Sequence, residues 1–295
     1  MRKKPERARI DRLRQLMNAD GLGPLLVTRR ENVRYLTGFS GSAGAVLIAS
    51  GRSWLITDFR YKLQAHKETS GTAILIQKTD FPAALREATD RAGVDTLWFD
   101  ESSLTMESLK KLRKQGLTLK GHRDLIGELR QRKDKQELVS IRKAIRRAEE
   151  SFRELKKYIR PGARERGLAL MLEVLMREKG ARKAAFDTIV ASGRNGAMPH
   201  AAVTDRRIKK GDLVTIDFGA EADGYFCDIT RTICVGRPTA GQREIHALVL
   251  NAQAAAIRSV RPGASGKSAD TVAGAVSVNF AAFPGPCGTG HDIHH

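Results

Sequence analysis

A short pattern recurs in the second half of this chain: Ile159-Arg160-Pro161-Gly162-Ala163 reappears about 100 residues later as Val260-Arg261-Pro262-Gly263-Ala264. Each copy closes an amphipathic stretch and is followed by another helical one. Before the first copy, Leu138, Ile141, Ile145, Ala148, Phe152, Leu155 and Ile159 step by three and four, forming one apolar helical stripe. Before the second, Ile245, Leu248, Ala252, Ala256 and Val260 do the same. Pro and Gly commonly follow helix ends, so Arg-Pro-Gly alone carries little. Matched helices on both sides argue for duplication, and two such halves predict a pseudo-twofold domain with its site between them. The first copy runs on into strands and a hairpin at about 185–236, whereas too few residues follow the second copy for the same.

Upstream the pattern changes. A helix carrying Ile10, Leu13, Leu16 and Met17 ends near Gly21-Leu22-Gly23-Pro24. Apolar runs follow at 25–27, 45–48, 54–56, 74–76 and 96–99, the later ones separated by helical patterns at 83–92 and 103–114. Strands alternating with helices predict an α/β domain over residues 1–128. The charged run at 130–134 then leads into an α+β domain over residues 129–295, incomplete in its second half.

The formal charge of +19 would suit a nucleic-acid partner. The densest basic stretch, 129–160, places its lysines and arginines on the faces opposite the apolar stripe, without the interleaved aromatics a single-strand groove uses. The charge is therefore assigned to solvated helix faces, and nucleic acid is not an expected partner. No apolar run approaches the roughly 20 residues that span a bilayer, and the N-terminal stretch lacks an apolar leader core, so neither membrane nor secretion is expected. Cys227, Cys234 and Cys287 are odd in number and lack C-x-x-C spacing, which fits a reducing cytoplasm. Gly266-Lys267-Ser268 is not a P-loop, since the first glycine of that motif would fall at Arg261. Gly38, Gly41 and Gly44 are spaced G-x-x-G-x-x-G and do not form the dinucleotide fingerprint.

The chemistry gathers in the hairpin. Strand patterns at 213–220 and 225–235 flank Glu221-Ala222-Asp223-Gly224. A four-residue loop there predicts Ala220 opposite Tyr225, hence Asp217 opposite Asp228, with Cβ atoms about 4.5–5.5 Å apart. Thr215, Gly219, Phe226 and Thr230 share that face, while Val214, Ile216, Phe218, Cys227, Ile229 and Ile233 take the other. Carboxylates so placed repel unless a cation sits between them. On spacing alone a metal site and two solvent-exposed strand aspartates stay equally open, and a bulge would shift the register. The Asp-Phe-Gly context argues against an aspartic-protease dyad. His200 precedes the hairpin across a loop, and a lone histidine is more often filler than catalyst.

Four segments then carry a resemblance: Phe186-Asp187-Thr188-Ile189-Val190-Ala191-Ser192-Gly193, Pro199-His200, Gly211-Asp212-Leu213-Val214-Thr215-Ile216-Asp217-Phe218-Gly219 and Asp228-Ile229-Thr230-Arg231-Thr232. In that order they closely resemble the Xaa-Pro aminopeptidase and prolidase family, the M24 metallopeptidases. Tyr35-Leu36-Thr37-Gly38-Phe39-Ser40-Gly41-Ser42 and Asp58-Phe59-Arg60-Tyr61 are similar to that family's creatinase-type N-terminal domain. The resemblance implies a pita-bread α+β catalytic domain of two similar halves. It also implies a pair of divalent ions, manganese foremost with cobalt or zinc as alternatives, cleaving the bond before proline. It makes Asp217 a terminal metal ligand, Asp228 a bridging one, and His200 the histidine over the scissile peptide.

The family then needs a histidine ligand in a Gly-His-Gly-x-Gly-His run, a second catalytic histidine and two later glutamates. Gly288-Thr289-Gly290-His291 resembles that run, making His291 a metal ligand and His294 the nearby catalytic histidine, although its spacing is shorter than the family's. No glutamate follows Glu244. The expectation is a C-terminally truncated or frameshifted chain, cytoplasmic and homodimeric, whose Xaa-Pro aminopeptidase or dipeptidase activity is impaired. The alternative is a non-catalytic member that binds a partner, a role with no need of an opposed carboxylate pair.

Overall fold

Residues 5–278 are described by the computed structural model, and they divide between Val139 and Ser140 into two units. The first contains α1 (Pro5–Ala19), β1 (Leu25–Val27), α2 (Arg30–Thr37), β2 (Ala45–Ile48), β3 (Ser53–Thr57), α3 (Lys62–Glu68), β4 (Ala73–Ile76), α4 (Phe81–Ala92), β5 (Thr96–Asp100), α5 (Met106–Arg113), β6 (Thr118–His122) and α6 (Leu125–Gln131). The strands form one six-stranded sheet in the order β4-β3-β2-β1-β5-β6. β2 runs antiparallel to β1 and β3, and the other neighbours are parallel.

Successive strand residues serve opposite cores. Leu26, Leu47, Trp54, Ile56 and Leu97 pack with Leu85 and Leu112. Leu25, Val27, Val46, Ile48 and Leu55 pack with Leu13, Leu36, Ala65 and Ile126. A sheet covered on both faces needs near-continuous apolar strands, which is why β1, β2 and β3 read as unbroken runs. The spaced glycines serve this packing. Gly38 ends α2 at φ 81°, and a Cβ on Gly41 would lie 2.2 Å from the Phe39 ring.

The sequence reading ends this unit at residue 128, but its contacts run further. The buried ring of Tyr35 lies under the guanidinium of buried Arg9, 4.3 Å from the ring centre. Arg9 donates to the Tyr35 carbonyl at 3.0 Å and to Asp134 Oδ2 at 2.8 Å, with Glu137 Oε2 at 3.6 Å. A fragment of residues 1–139 is expected to unfold cooperatively in urea. One ending at residue 128 is expected to be less stable by about 2 kcal/mol or more, because a buried charge loses its partners. Equal midpoints by circular dichroism would place the boundary at 128.

The second unit holds most of α7 (Lys135–Leu155), then α8 (Glu165–Glu178), β7 (Ile189–Ser192), β8 (Leu213–Phe218), β9 (Glu221–Ala222), β10 (Tyr225–Phe226), β11 (Ile229–Cys234), α9 (Ala240–Ser259) and α10 (Gly266–Val278). The antiparallel order β11-β8-β7 forms its main sheet, and β9 and β10 make a small hairpin beyond it. Ala144, Ala148, Leu155, Leu168, Leu172 and Met176 pack on Val190, Val214, Ile216 and Phe218. Phe152 stacks on Phe218 with ring centres 5.2 Å apart. The α7 stripe differs from expectation at its start, where Leu138 is 40% exposed and Glu137 is buried instead, bonded to the Asp134 amide.

Both copies of the repeat adopt one turn. Ala163 N–H donates to the Arg160 carbonyl at 3.1 Å and Ala264 N–H to the Arg261 carbonyl at 3.0 Å. Gly162 and Gly263 sit at φ 89° and 86°. Proline second and left-handed glycine third is the type II turn, so the recurring letters encode a geometry. The helices before the turns differ in burial. α9 buries Ala252, but Ile245 and Val260 of its expected stripe are exposed. Among the described residues no helix is long and apolar enough to cross a membrane.

Candidate metal centre

The hairpin forms with a register other than the expected one. Asp217 lies opposite Thr230, and Ala222 lies opposite Tyr225. The loop is therefore two residues, Asp223-Gly224, at φ 52° and 78°. Asp-Gly with both φ positive is the type I′ turn that matches strand twist, so it outcompetes a four-residue loop. The shift is two positions, so every residue keeps its face. Asp217 and Asp228 become diagonal neighbours on the polar face, while Val214, Ile216 and Phe218 are fully buried on the other.

Between the two parts of the hairpin the chain is pinched at Gly219. A Cβ there would lie 2.0 Å from the Cys227 carbonyl oxygen and 2.9 Å from Ala185 Cβ. The strand changes partner at this point: Ala185 N–H donates to the Gly219 carbonyl at 2.9 Å, and Glu221 N–H to the Lys183 carbonyl at 2.9 Å. Asp228 emerges beside the pinch.

Thr230 Oγ1 donates to Asp217 Oδ1 at 2.8 Å, fixing that carboxylate on the sheet face. Burial, the Asp217 charge and a hydrogen bond with the Asp217 carboxyl together push the Asp228 acid above the usual carboxylate range. A carboxyl whose ionisation a neighbouring carboxylate opposes marks a place where a cation would bring relief. Hard carboxylate oxygens suit divalent ions such as Mg²⁺ or Mn²⁺, so the pair fits as part of a metal-ligand set. Among the described residues no third His, Cys, Asp or Glu joins them. His291 and His294 lie outside the described residues.

His200 is exposed in the loop between β7 and β8. The 3₁₀ turn Gly193–Ala197 that precedes it rests against β8, with the Gly196 Cβ position 3.7 Å from Thr215 Oγ1, on the aspartates' face. Sequence reasoning missed what holds this loop. Glu165, at the start of α8, is fully buried and receives hydrogen bonds from Ser192, Asn195 and Thr204. Arg206 pairs with Asp212 through both carboxylate oxygens, at 2.6 and 3.0 Å. These residues are up to 39 positions apart, so no linear spacing marks them.

Residues 139–295 match the profile of metallopeptidase family M24, and residues 9–132 that of the creatinase/prolidase N-terminal domain. The chain is 35% identical over 266 residues to an uncharacterized peptidase of Bacillus subtilis, covering 90% of this chain and 75% of that one. It is 34% identical to an Xaa-Pro dipeptidase of Pyrococcus furiosus, with the same coverages. A solved Xaa-Pro dipeptidase from Bacillus anthracis superposes with a TM-score of 0.89 at 34% identity, covering 94% of this chain and 78% of that one. An X-Pro aminopeptidase structure from Thermotoga maritima gives 0.86 at 33% identity, covering 92% and 78%. The chain belongs to metallopeptidase family M24, a pita-bread domain preceded by a creatinase/prolidase N-terminal domain, and its family implies divalent metal ions.

Proposed function

We propose that this protein is of the Xaa-Pro peptidase lineage, with Asp217 and Asp228 as ligands to divalent metal, manganese foremost. The observation that carries this reading is the diagonal carboxylate pair on one polar hairpin face, with Thr230 holding one member and the other resisting ionisation. Bound there, a divalent ion would supply Lewis-acid polarisation of a peptide carbonyl. Thr230 orients Asp217, and His200 stands in the neighbouring loop as a donor to the scissile peptide's oxygen. His291 as a further ligand and His294 as a second catalytic histidine complete the assignment.

The relatives' printed names support a peptide substrate with proline after the cleaved bond, without dividing dipeptidase from aminopeptidase. The free thiols of Cys227 and Cys234 support a reducing, cytoplasmic setting. Homodimerisation comes from the family resemblance, and light scattering tests it.

Within these 295 residues, Asp217, Asp228 and His291 are the ligands this reading assigns. Calorimetric titration with MnCl₂, beside cleavage assays on Gly-Pro and an Xaa-Pro-Xaa tripeptide, tests both halves of the reading. Manganese binding that Asp217→Ala removes is expected. Failure to cleave either peptide with manganese bound would count against the Xaa-Pro reading. Manganese binding indifferent to Asp217→Ala would remove the hairpin from the metal site.

A further inference from the structure

Glu165 is a carboxylate with no exposed surface in a unit whose metal-facing carboxylates lie elsewhere. Its Oε1 accepts from the Ser192 amide and the Ser192 hydroxyl, each at 2.7 Å, and from Asn195 Nδ2 at 3.2 Å. Its Oε2 accepts from the Thr204 amide at 3.2 Å, from the Thr204 hydroxyl, and from Asn195 Nδ2 at 3.2 Å. Ser192 and Asn195 stand on one side of His200 and Thr204 on the other. Asn195 also donates directly to Thr204 Oγ1 at 3.3 Å, closing the nine-position span that contains His200.

Further ties repeat the connection. Glu165 N–H donates to the Arg206 carbonyl at 3.2 Å and Arg166 N–H to the Thr204 carbonyl at 3.1 Å. Arg206 reaches back to the Ser192 hydroxyl while paired with Asp212. Gly193, at φ 53°, passes so close that a Cβ would lie 2.7 Å from Arg206 Nη2 and 2.8 Å from Asp212 Oδ1. Pro199 limits the backbone immediately before His200. Burial pushes the Glu165 carboxyl up, but the donors Thr204, Ser192 and Asn195 outweigh it and hold the acid below its usual range. Glu165 is thus an ionised acceptor for both ends of one loop, where an apolar residue would have served mere packing at no desolvation cost.

We infer that Glu165 is a positioning residue for His200: its buried carboxylate closes the 193–203 loop and so sets where the histidine stands. The inference rests on the reading of His200 as the group facing the peptide.

The test uses the full chain with Glu165→Gln, which keeps size and one acceptor oxygen, and Thr204→Val, which removes one donor from outside α8. Arg194 is the one trypsin site within 193–203. Cleavage there is expected to accelerate about tenfold or more in both variants, in proportion to the opened population. The His200 ring cross-peak, assigned by its loss in His200→Gln, is expected to move toward the free-histidine position. Those of His66 and His122, in the first unit, should stay fixed. If Glu165→Gln fails to fold, Thr204→Val decides. A folded variant with an unmoved His200 peak and unchanged Arg194 cleavage overturns the inference, as does a loosening spread evenly over the second unit.

The sign with pH follows from the lowered acid. Its stabilisation is complete above the ordinary glutamate value of about 4.3 and is lost as pH falls through the lower folded value. The wild-type lead in melting temperature over Glu165→Gln should close in that window, and a lead that persists below it counts against an ionised clamp. Adding Gly-Pro and Mn²⁺ separates the two readings. A wild-type His200 peak that ignores the dipeptide removes His200 from the substrate site, and the positioning inference with it. A Glu165→Gln variant that leaves the dipeptide response intact removes the positioning role alone.

Discussion

Asp228→Asn is expected to abolish turnover in a protein that carries the family's two later glutamates. A chimera of residues 1–278 with the C-terminal part of a relative such as the Pyrococcus furiosus dipeptidase, of which this chain spans 75%, is the protein to test. Asparagine keeps the shape and removes the charge from a ligand proposed to lie between two cations. A loss of about 1,000-fold in kcat/KM, or roughly 4 kcal/mol of transition-state stabilisation, is expected. Activity within tenfold of the parent, or activity indifferent to chelator, would remove Asp228 from the site. In the 295-residue chain held in chelator the same change acts with the opposite sign. Because burial and the Asp217 charge raise the Asp228 acid, its ionised form is disfavoured in the fold. Stability is therefore highest below the ordinary aspartate value of about 3.9 and falls as pH rises through the raised one. Asparagine removes that fall, and because Asp228 is only partly withdrawn from water the gain at pH 7 is small, roughly half a kcal/mol or less. Melting curves from pH 3 to 8 check it; a constant gap between wild type and variant would contradict the sign.

Gly219→Ala is expected to cost about 3 kcal/mol or more, the upper end for overpacking, because the obstacle at 2.0 Å is the backbone oxygen of Cys227 and no side chain can swing away. Relief requires the two hairpin strands to part where Asp228 leaves the ladder, so manganese binding should weaken in the same variant. Gly241→Ala is the control. It lies in the first turn of α9 with nothing within 4 Å of a Cβ, and a change within about 1 kcal/mol is expected there. Urea unfolding followed by far-UV circular dichroism distinguishes them. A Gly219→Ala protein as stable as the control would mean that the pinch is not rigid.

Much of the architecture was legible because it is local. The strand runs at 25–27 and 45–48 appear where their composition places them, since burial on both faces favours unbroken apolar runs. The Arg-Pro-Gly repeat marks two identical turns because proline second and left-handed glycine third define that turn within four residues. Short or exposed elements were missed. α2 is eight residues long, and β6, at the sheet edge, buries one residue in five.

Which face of the hairpin is polar is already written in the order of its residues. That depends on the parity of positions along a strand, and a register slip of two leaves parity untouched. Which residue meets which follows only from packing in three dimensions. Asp217 faces Thr230 because the Asp223-Gly224 turn is shorter than the polar run around it suggests. Glu165 meets Thr204 because α8 and the β7–β8 loop arrive at one place from 39 positions apart. No spacing rule reaches that far, since a buried carboxylate's partners are chosen by desolvation and hydrogen-bond geometry in three dimensions.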